Sequence, residues 1–154
     1  MPPLLIRVDD ASDPATVGLL RAHLDGMHAQ TPPESVHALG LADLRNADVT
    51  LWSAWAGERI AGVAALRRID TRSGEVKSMR VDDAFRGLGV GRALLQHVIV
   101  EARRAGCTRL SLETGSGDDF LPARRLYASE GFVECGPFGS YRPDPLSTFM
   151  TREL

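Results

Sequence analysis

Residues 85–98 read FRGLGVGRALLQHV, with Gly87, Gly89 and Gly91 crowded into five positions just before a helical pattern. Every ordered glycine costs backbone entropy. Three together mark either a tight strand-to-helix turn or a place where side chains would keep a ligand off the backbone. Two common phosphate patterns fail here. A Walker loop needs Gly-Lys-Ser/Thr, which the chain lacks, and a G-x-G-x-x-G fingerprint starting at Gly87 would need glycine where Arg92 stands. What remains is Arg86-Gly87-Leu88-Gly89-Val90-Gly91. Successive amides at a helix N-terminus point their N–H groups into one small volume. Such a run could hold a pyrophosphate on its backbone, with Arg86 and Arg92 adding charge-assisted bonds.

The elements that must carry this loop can be read from periodicity and turn residues. LLIRV (4–8) predicts a strand. A helix follows over 14–25, with Asp13 as N-cap and Pro14 at its first position. TPPE (31–34) has the form of a second helix start, with Thr31 capping and Glu34 completing a capping box, and predicts a helix to about Asn46 weakened by Gly40. Residues 49–56 and 59–69 form a hairpin around Gly57-Glu58, and GEVKSMRV (74–81) is a third strand of that set. Alternation along it puts Glu75, Lys77 and Met79 on one face. The helix after the glycines runs over about 90–105, with an apolar stripe of Leu94, Leu95, Val98, Ile99 and Ala102, and stops at Gly106. His97 lies beside that stripe. TRLSLET (108–114) is a strand, Asp119 is placed to cap a helix through about Ser129, and 132–136 and 147–154 close the chain as strands. Trp52 and Trp55, three apart on a strand, face opposite sides. The expected architecture is α/β (mixed α+β), a central mixed, mostly antiparallel sheet of about seven strands with helices on both faces. It spans residues 1–154 as a single domain.

The chain's 154 residues and 44% hydrophobic content suit a soluble domain with its own core. Net charge is −2, so no overall field draws the chain to nucleic acid or an anionic membrane. No apolar run approaches the roughly 20 residues of a membrane span. The opening MPPLLIRVDD lacks a basic then apolar leader, and two cysteines, Cys107 and Cys135, fit a reduced cytoplasmic setting. Charge is uneven: residues 1–66 carry four basic and eight acidic groups, while 67–130 carry twelve and nine. The glycine run lies in the only net-positive part, and the acidic first part faintly favours a cationic acceptor. Seventeen of the 18 basic residues are arginine, which singles out Lys77. His23, His28 and His37 lack metal spacing, so no metal site is expected.

R-G-x-G-x-G after MRV resembles the acetyl-CoA pyrophosphate loop of the GNAT superfamily of N-acetyltransferases. ARRLYASEGF (123–132) is similar to that family's A-x-x-L-Y-x-x-x-G-F. The order of elements agrees over nearly the whole chain. TPPESVHAL, KSMR, SLETG and CGPF resemble a branch of small bacterial members called YsnE-like. One position departs. Where many members carry an asparagine that contacts the pantetheine arm, this chain has Phe120.

The resemblance implies acetyl transfer from acetyl-CoA, the co-substrate, to a primary amine. A small molecule or amino acid is favoured over a protein, and a homodimer is compatible. An alkylammonium of pKa roughly 10.4 is about a thousandth neutral or less near pH 7, so a general base is useful. By resemblance Glu75 holds the base position, with Glu113 in reserve. A lysine beside Glu75 would lower its pKa and weaken it as a base. Tyr127 would donate a proton or hydrogen bond to the leaving thiolate. The backbones of Met79 and Val81 would pair with pantetheine amides, and Arg86, Gly87, Leu88, Gly89, Val90, Gly91 and Arg92 would hold the pyrophosphate. Residues 25–45 and 136–146 would frame the acceptor side. A non-catalytic acyl-CoA-binding module is the competing reading: it would keep the loop and lose base and acid.

Overall fold

A computed structural model describes all residues 1–154. The strands are β1 (Leu4–Asp9), β2 (Val49–Ala56), β3 (Arg59–Arg68), β4 (Ser73–Val81), β5 (Arg109–Gly115), β6 (Val133–Cys135) and β7 (Ser147–Glu153). They form one sheet in the order β1-β2-β3-β4-β5-β7-β6. Every pairing is antiparallel except β4 with β5. The helices are α1 (Pro14–Gln30), α2 (Val90–Arg104) and α3 (Leu121–Ser129).

Two cores lie on opposite faces. Leu94, Leu95, Val98 and Ile99 of α2 and Tyr127 of α3 pack with Trp52, Leu66, Val76, Leu110 and Leu112. Leu19 and Leu20 of α1 pack on the other face with Leu44, Leu51, Val63 and Ala65. His97 stands edge-on to Trp52 at 5.3 Å within the first core. Trp55 is buried on the opposite side, its Nε1 donating to Ser53 Oγ at 2.8 Å.

Three expectations change. Helix α1 runs five residues beyond position 25, and Thr31 ends it by donating its N–H to the Met27 carbonyl instead of starting a new helix. Residues 31–46 form only two short 3-10 turns, Pro33–Ser35 and Asp43–Arg45. Tertiary anchors compete with helix propensity there: Leu39 and Leu41 pack into the second core, and Ser35 Oγ donates to Asp144 Oδ2 at 2.6 Å. Asp119 does not cap α3, because a 3-10 turn at Asp118–Phe120 precedes it and Phe120 takes the cap position.

The third change concerns β4. Its register against β3 slips: Ala65 faces Lys77, but Val63 faces Arg80. Three steps on β4 therefore match two on β3, a β-bulge, and Ser78 takes φ +54 to make it. A one-residue insertion exchanges the faces of everything beyond it. Glu75 and Lys77 face α1. Met79 is turned to the α2 face with Val81, and Arg80 is brought round to the α1 face.

Candidate active site

The β4–β5 ladder holds only at Ser73–Glu75 against Arg109–Ser111. Beyond it the two strands diverge, leaving the β5-facing edge of β4 from Val76 to Val81 without a strand partner. The gap is a cleft of about 350 Å³ walled by α1, β4, β5 and α3. Met79, Arg86, Glu113 and Tyr127 all line it. Unpaired main-chain groups at Met79 and Val81 suit amide groups of an extended ligand arm.

At the end of β4 the glycine loop takes the form its sequence demands. Gly87 has φ +74 and Gly89 φ +84, left-handed conformations that side chains resist. A Cβ at either would meet nothing within 4 Å, so open space surrounds this backbone. Gly89 is the N-cap of α2, whose first closed turn is Ala93 N–H to the Gly89 carbonyl at 3.0 Å. The amides of Val90, Gly91 and Arg92 are thus left unbonded by the helix, as at any helix start. Gly91 has a different reason: a Cβ would press on Leu126 Cδ2 at 3.3 Å, between α2 and α3. Val90 is buried in the core and offers only its backbone, while Leu88 projects from the tip, 52% exposed. Arg86 is exposed and bridges Asp83 at 2.7 Å. Arg92 turns away from the loop to Glu130 and Ser129 at the end of α3.

Glu75 is 2% exposed and lies beside the cleft, at its base. Its Oε2 accepts the Tyr141 hydroxyl at 2.6 Å and meets Lys77 Nζ at 3.3 Å. Lys77 Nζ also donates to the His37 carbonyl at 2.7 Å and to the Tyr141 hydroxyl at 2.9 Å. Burial, then the charge of Glu75 and the bond to it, push the Tyr141 hydroxyl far above its ordinary value, so it stays a donor. This trio closes one wall of a second cavity of about 650 Å³ between residues 34–39 and 138–144. Lys77 and His37 border both spaces. Tyr141 carried no signal in the sequence, because its place is set by contacts with residues distant in the chain: Glu75, Lys77, His37 and Phe149.

Glu113 faces the cleft from β5. Burial raises its carboxyl above the usual range, against weaker opposition from the Ser147 hydroxyl and then from His37 and Lys77. Tyr127 enters from α3, 7% exposed and edge-on to Phe132 at 5.9 Å. Burial, with the charge of Glu113 behind it, lifts its hydroxyl to about 12. The Phe120 ring lies over Gly115, where an added Cβ would come within 2.1 Å of the ring. Gly115 is therefore required by Phe120, a pairing that strand periodicity does not reveal. Arg124 of α3 fixes the same turn by donating to the Gly115 carbonyl at 2.6 Å and the Gly117 carbonyl at 2.9 Å. Of the three histidines, His23 and His37 line the cleft and His28 is exposed. No cluster of His, Cys, Asp and Glu is arranged to hold a metal ion.

The site therefore combines a splayed parallel pair, a bulged strand and a glycine-turned helix start, and the whole chain is similar in sequence and fold to known proteins. The chain is 50% identical over 149 residues to YsnE of Bacillus subtilis (strain 168), an uncharacterized N-acetyltransferase, covering 97% of this chain and 99% of that one. A Klebsiella pneumoniae protein assigned as an acyl-CoA N-acyltransferase superposes with a TM-score of 0.79 at 27% identity, covering 98% and 97% of the two chains. A GNAT family acetyltransferase from Elizabethkingia anophelis, solved with acetyl-CoA bound, superposes with a TM-score of 0.71 at 22% identity over 98% of each chain. Residues 17–132 match the Acetyltransferase (GNAT) family, and with the cleft, the bulge and the amide loop in place the chain belongs to that family of acetyl-CoA-dependent N-acetyltransferases.

Proposed function

We propose that this cleft, working in the bacterial cytoplasm, moves the acetyl group of acetyl-CoA to the primary amine of a small molecule, with Glu113 as the base. The observation that carries the reading is the convergence of Glu113, Tyr127, the unpaired edge of β4 and Arg86 of the glycine loop on one cleft. Acetyl-CoA, when bound, supplies the thioester. The amides of Val90, Gly91 and Arg92, with the turns at Gly87 and Gly89, suit its pyrophosphate, and Arg86 adds a nearby charge. The main chain at Met79 and Val81 suits the pantetheine amides. Phe120 stands where an asparagine contact is often made, so the arm is held there by apolar contact instead. The Arg92 side chain, paired with Glu130 and Ser129, supports the loop, and its backbone amide is the part that suits the pyrophosphate.

Glu113 is preferred over Glu75 for two physical reasons. It opens on the cleft, and its raised carboxyl lies closer to the working pH, where a general base is most effective. Glu75 is occupied by Lys77 and Tyr141 and does not line the cleft. Its role in this reading is to hold Lys77 in the wall of the cleft. Tyr127 supports the departing thiolate.

The test is turnover of acetyl-CoA against a panel of primary amines, read as free thiol and as acetylated product by mass spectrometry. Amine-dependent thiol release with a matching product is expected. Tight acetyl-CoA binding with no amine-dependent release would overturn the reading in favour of a binding module.

A further inference from the structure

We propose that the acceptor is an amine that also carries a carboxylate, and that Arg80 on β4, with His23 on α1 beside it, recognises that carboxylate. The inference rests on the acetyl-transfer reading of the cleft and names its substrate class.

The bulge at Ser78 brings the Arg80 side chain onto the α1 face, where it lines the cleft with His23, Gly26, Met27 and Gln30. Its guanidinium is poorly matched there. The one carboxylate within reach is Asp83 at 3.9 Å, and the same oxygen already takes Arg86 at 2.7 Å. Arg80 Nε is buried with no hydrogen-bond partner. A buried donor left without a partner costs free energy that a ligand acceptor would recover. Gly26 keeps the opposite wall low, since even a Cβ there would lie 3.5 Å from Arg80 Nη1.

The rest of the cleft agrees. Lys77 is paired with Glu75 at 3.3 Å, whereas Arg80 has only the Asp83 oxygen at 3.9 Å, which it shares with Arg86. His23 is held neutral, its pKa lowered to about 4 by burial and then by Arg80 and Lys77. A neutral imidazole can donate to a carboxylate, and a second cation would not be tolerated beside it. None of the acidic residues that make the first third net negative lines the cleft. The overall charge of that third therefore does not describe the site, and a polycation finds no partner at this wall. Arg80 faces α1, whereas the amide loop opens α2 on the other face, and Arg86 of that loop shares the Asp83 oxygen with Arg80. A carboxylate at Arg80 and an amine toward Glu113 would span the cleft from β4 to β5. The planar guanidinium suits bidentate carboxylate recognition better than a point charge does.

The experiment compares amino acids with the amines left by removing their carboxylate: phenylalanine with 2-phenylethylamine, methionine with 3-(methylthio)propylamine, and β-alanine with ethylamine. Thiol release gives kcat/KM for each, expressed per neutral amine, so that the lower pKa of an amine beside a carboxylate does not count. Wild type should prefer the acid in at least one pair by about 10- to 100-fold, the usual worth of a hydrogen bond to a charged group. In Arg80→Gln that ratio should fall to about 1, and in Arg80→Lys it should survive in part. If Arg80→Gln does not fold, the wild-type ratio and Arg80→Lys decide. Equal or better rates with the decarboxylated amines would overturn the inference and leave acetyl transfer standing. An unchanged ratio in Arg80→Gln with a raised KM for acetyl-CoA would reassign Arg80 to the co-substrate and also overturn it. No thiol release with either member of any pair would instead overturn the acetyl-transfer reading on which it rests.

Discussion

Replacing Tyr127 by phenylalanine removes one hydroxyl and keeps the ring that packs edge-on against Phe132 at 5.9 Å. The size of the effect depends on what that hydroxyl does. Its pKa is about 12. A thiol leaves with a pKa of roughly 8.5, so full proton transfer from Tyr127 would run uphill by about 3.5 units, or about 5 kcal/mol. That is too large to help the departing thiolate, and Tyr127 acts as a hydrogen-bond donor. A hydrogen bond to a charged partner is worth about 1.5–3 kcal/mol. Tyr127→Phe should therefore lower kcat by about 10- to 150-fold, without a new ionisation in the pH profile and with little change in melting temperature. The assay is thiol release at saturating acetyl-CoA and acceptor, between pH 6 and pH 10. A loss under twofold would make Tyr127 a packing residue. A loss beyond about a thousandfold would mean that its proton is in flight in the slow step, against the argument above.

Two further outcomes separate ligand effects from folding effects. Gly89→Ala and Gly57→Ala both place a side chain at positive φ, +84 and +60, with nothing within 4 Å of the new Cβ. Each should cost about 1–2 kcal/mol in denaturant unfolding, but only Gly89→Ala should weaken acetyl-CoA binding in calorimetry; equal affinities in the two variants would contradict the amide-loop assignment. His23, held neutral when folded, titrates at about 4 against an ordinary 6.5. A depressed folded value means stability present above pH 6.5 and lost as pH falls toward 4, by up to about 3 kcal/mol. Urea unfolding of His23→Gln should show a shallower acid loss in that window, and an unchanged slope would contradict the burial of a neutral His23.

What the sequence made legible follows from where the determinants lie. Local signals placed the strands, because alternation and the turn at Gly57-Glu58 are carried by adjacent residues. They also placed the loop glycines and the start of α1 at Asp13. The region 31–46 was misread as helix because its capping residues are local, whereas what fixes it is distant: Ser35 to Asp144, and the His37 carbonyl to Lys77. The bulge at Ser78 has no sequence mark, since a serine at positive φ looks like any strand serine, yet it decides which face Met79 and Arg80 occupy. Glu75 and Glu113 were both visible as strand carboxylates. Their environments were not, because Tyr141, 66 residues from Glu75, supplies one and the splay of β5 supplies the other.

The most direct test of the account is the pH–rate profile of wild type, Glu113→Gln and Glu75→Gln with one good acceptor. With Glu113 as the base, Glu113→Gln should lose roughly 10²–10⁴-fold near pH 7. The loss should shrink as pH rises toward the pKa of the amine, because solvent then supplies the neutral acceptor. Glu75→Gln should show a smaller defect that does not vary with pH, together with lower stability, since it leaves Lys77 buried without its counter-charge. A pH-dependent loss in Glu75→Gln larger than that in Glu113→Gln would place the base at Glu75 and contradict the account.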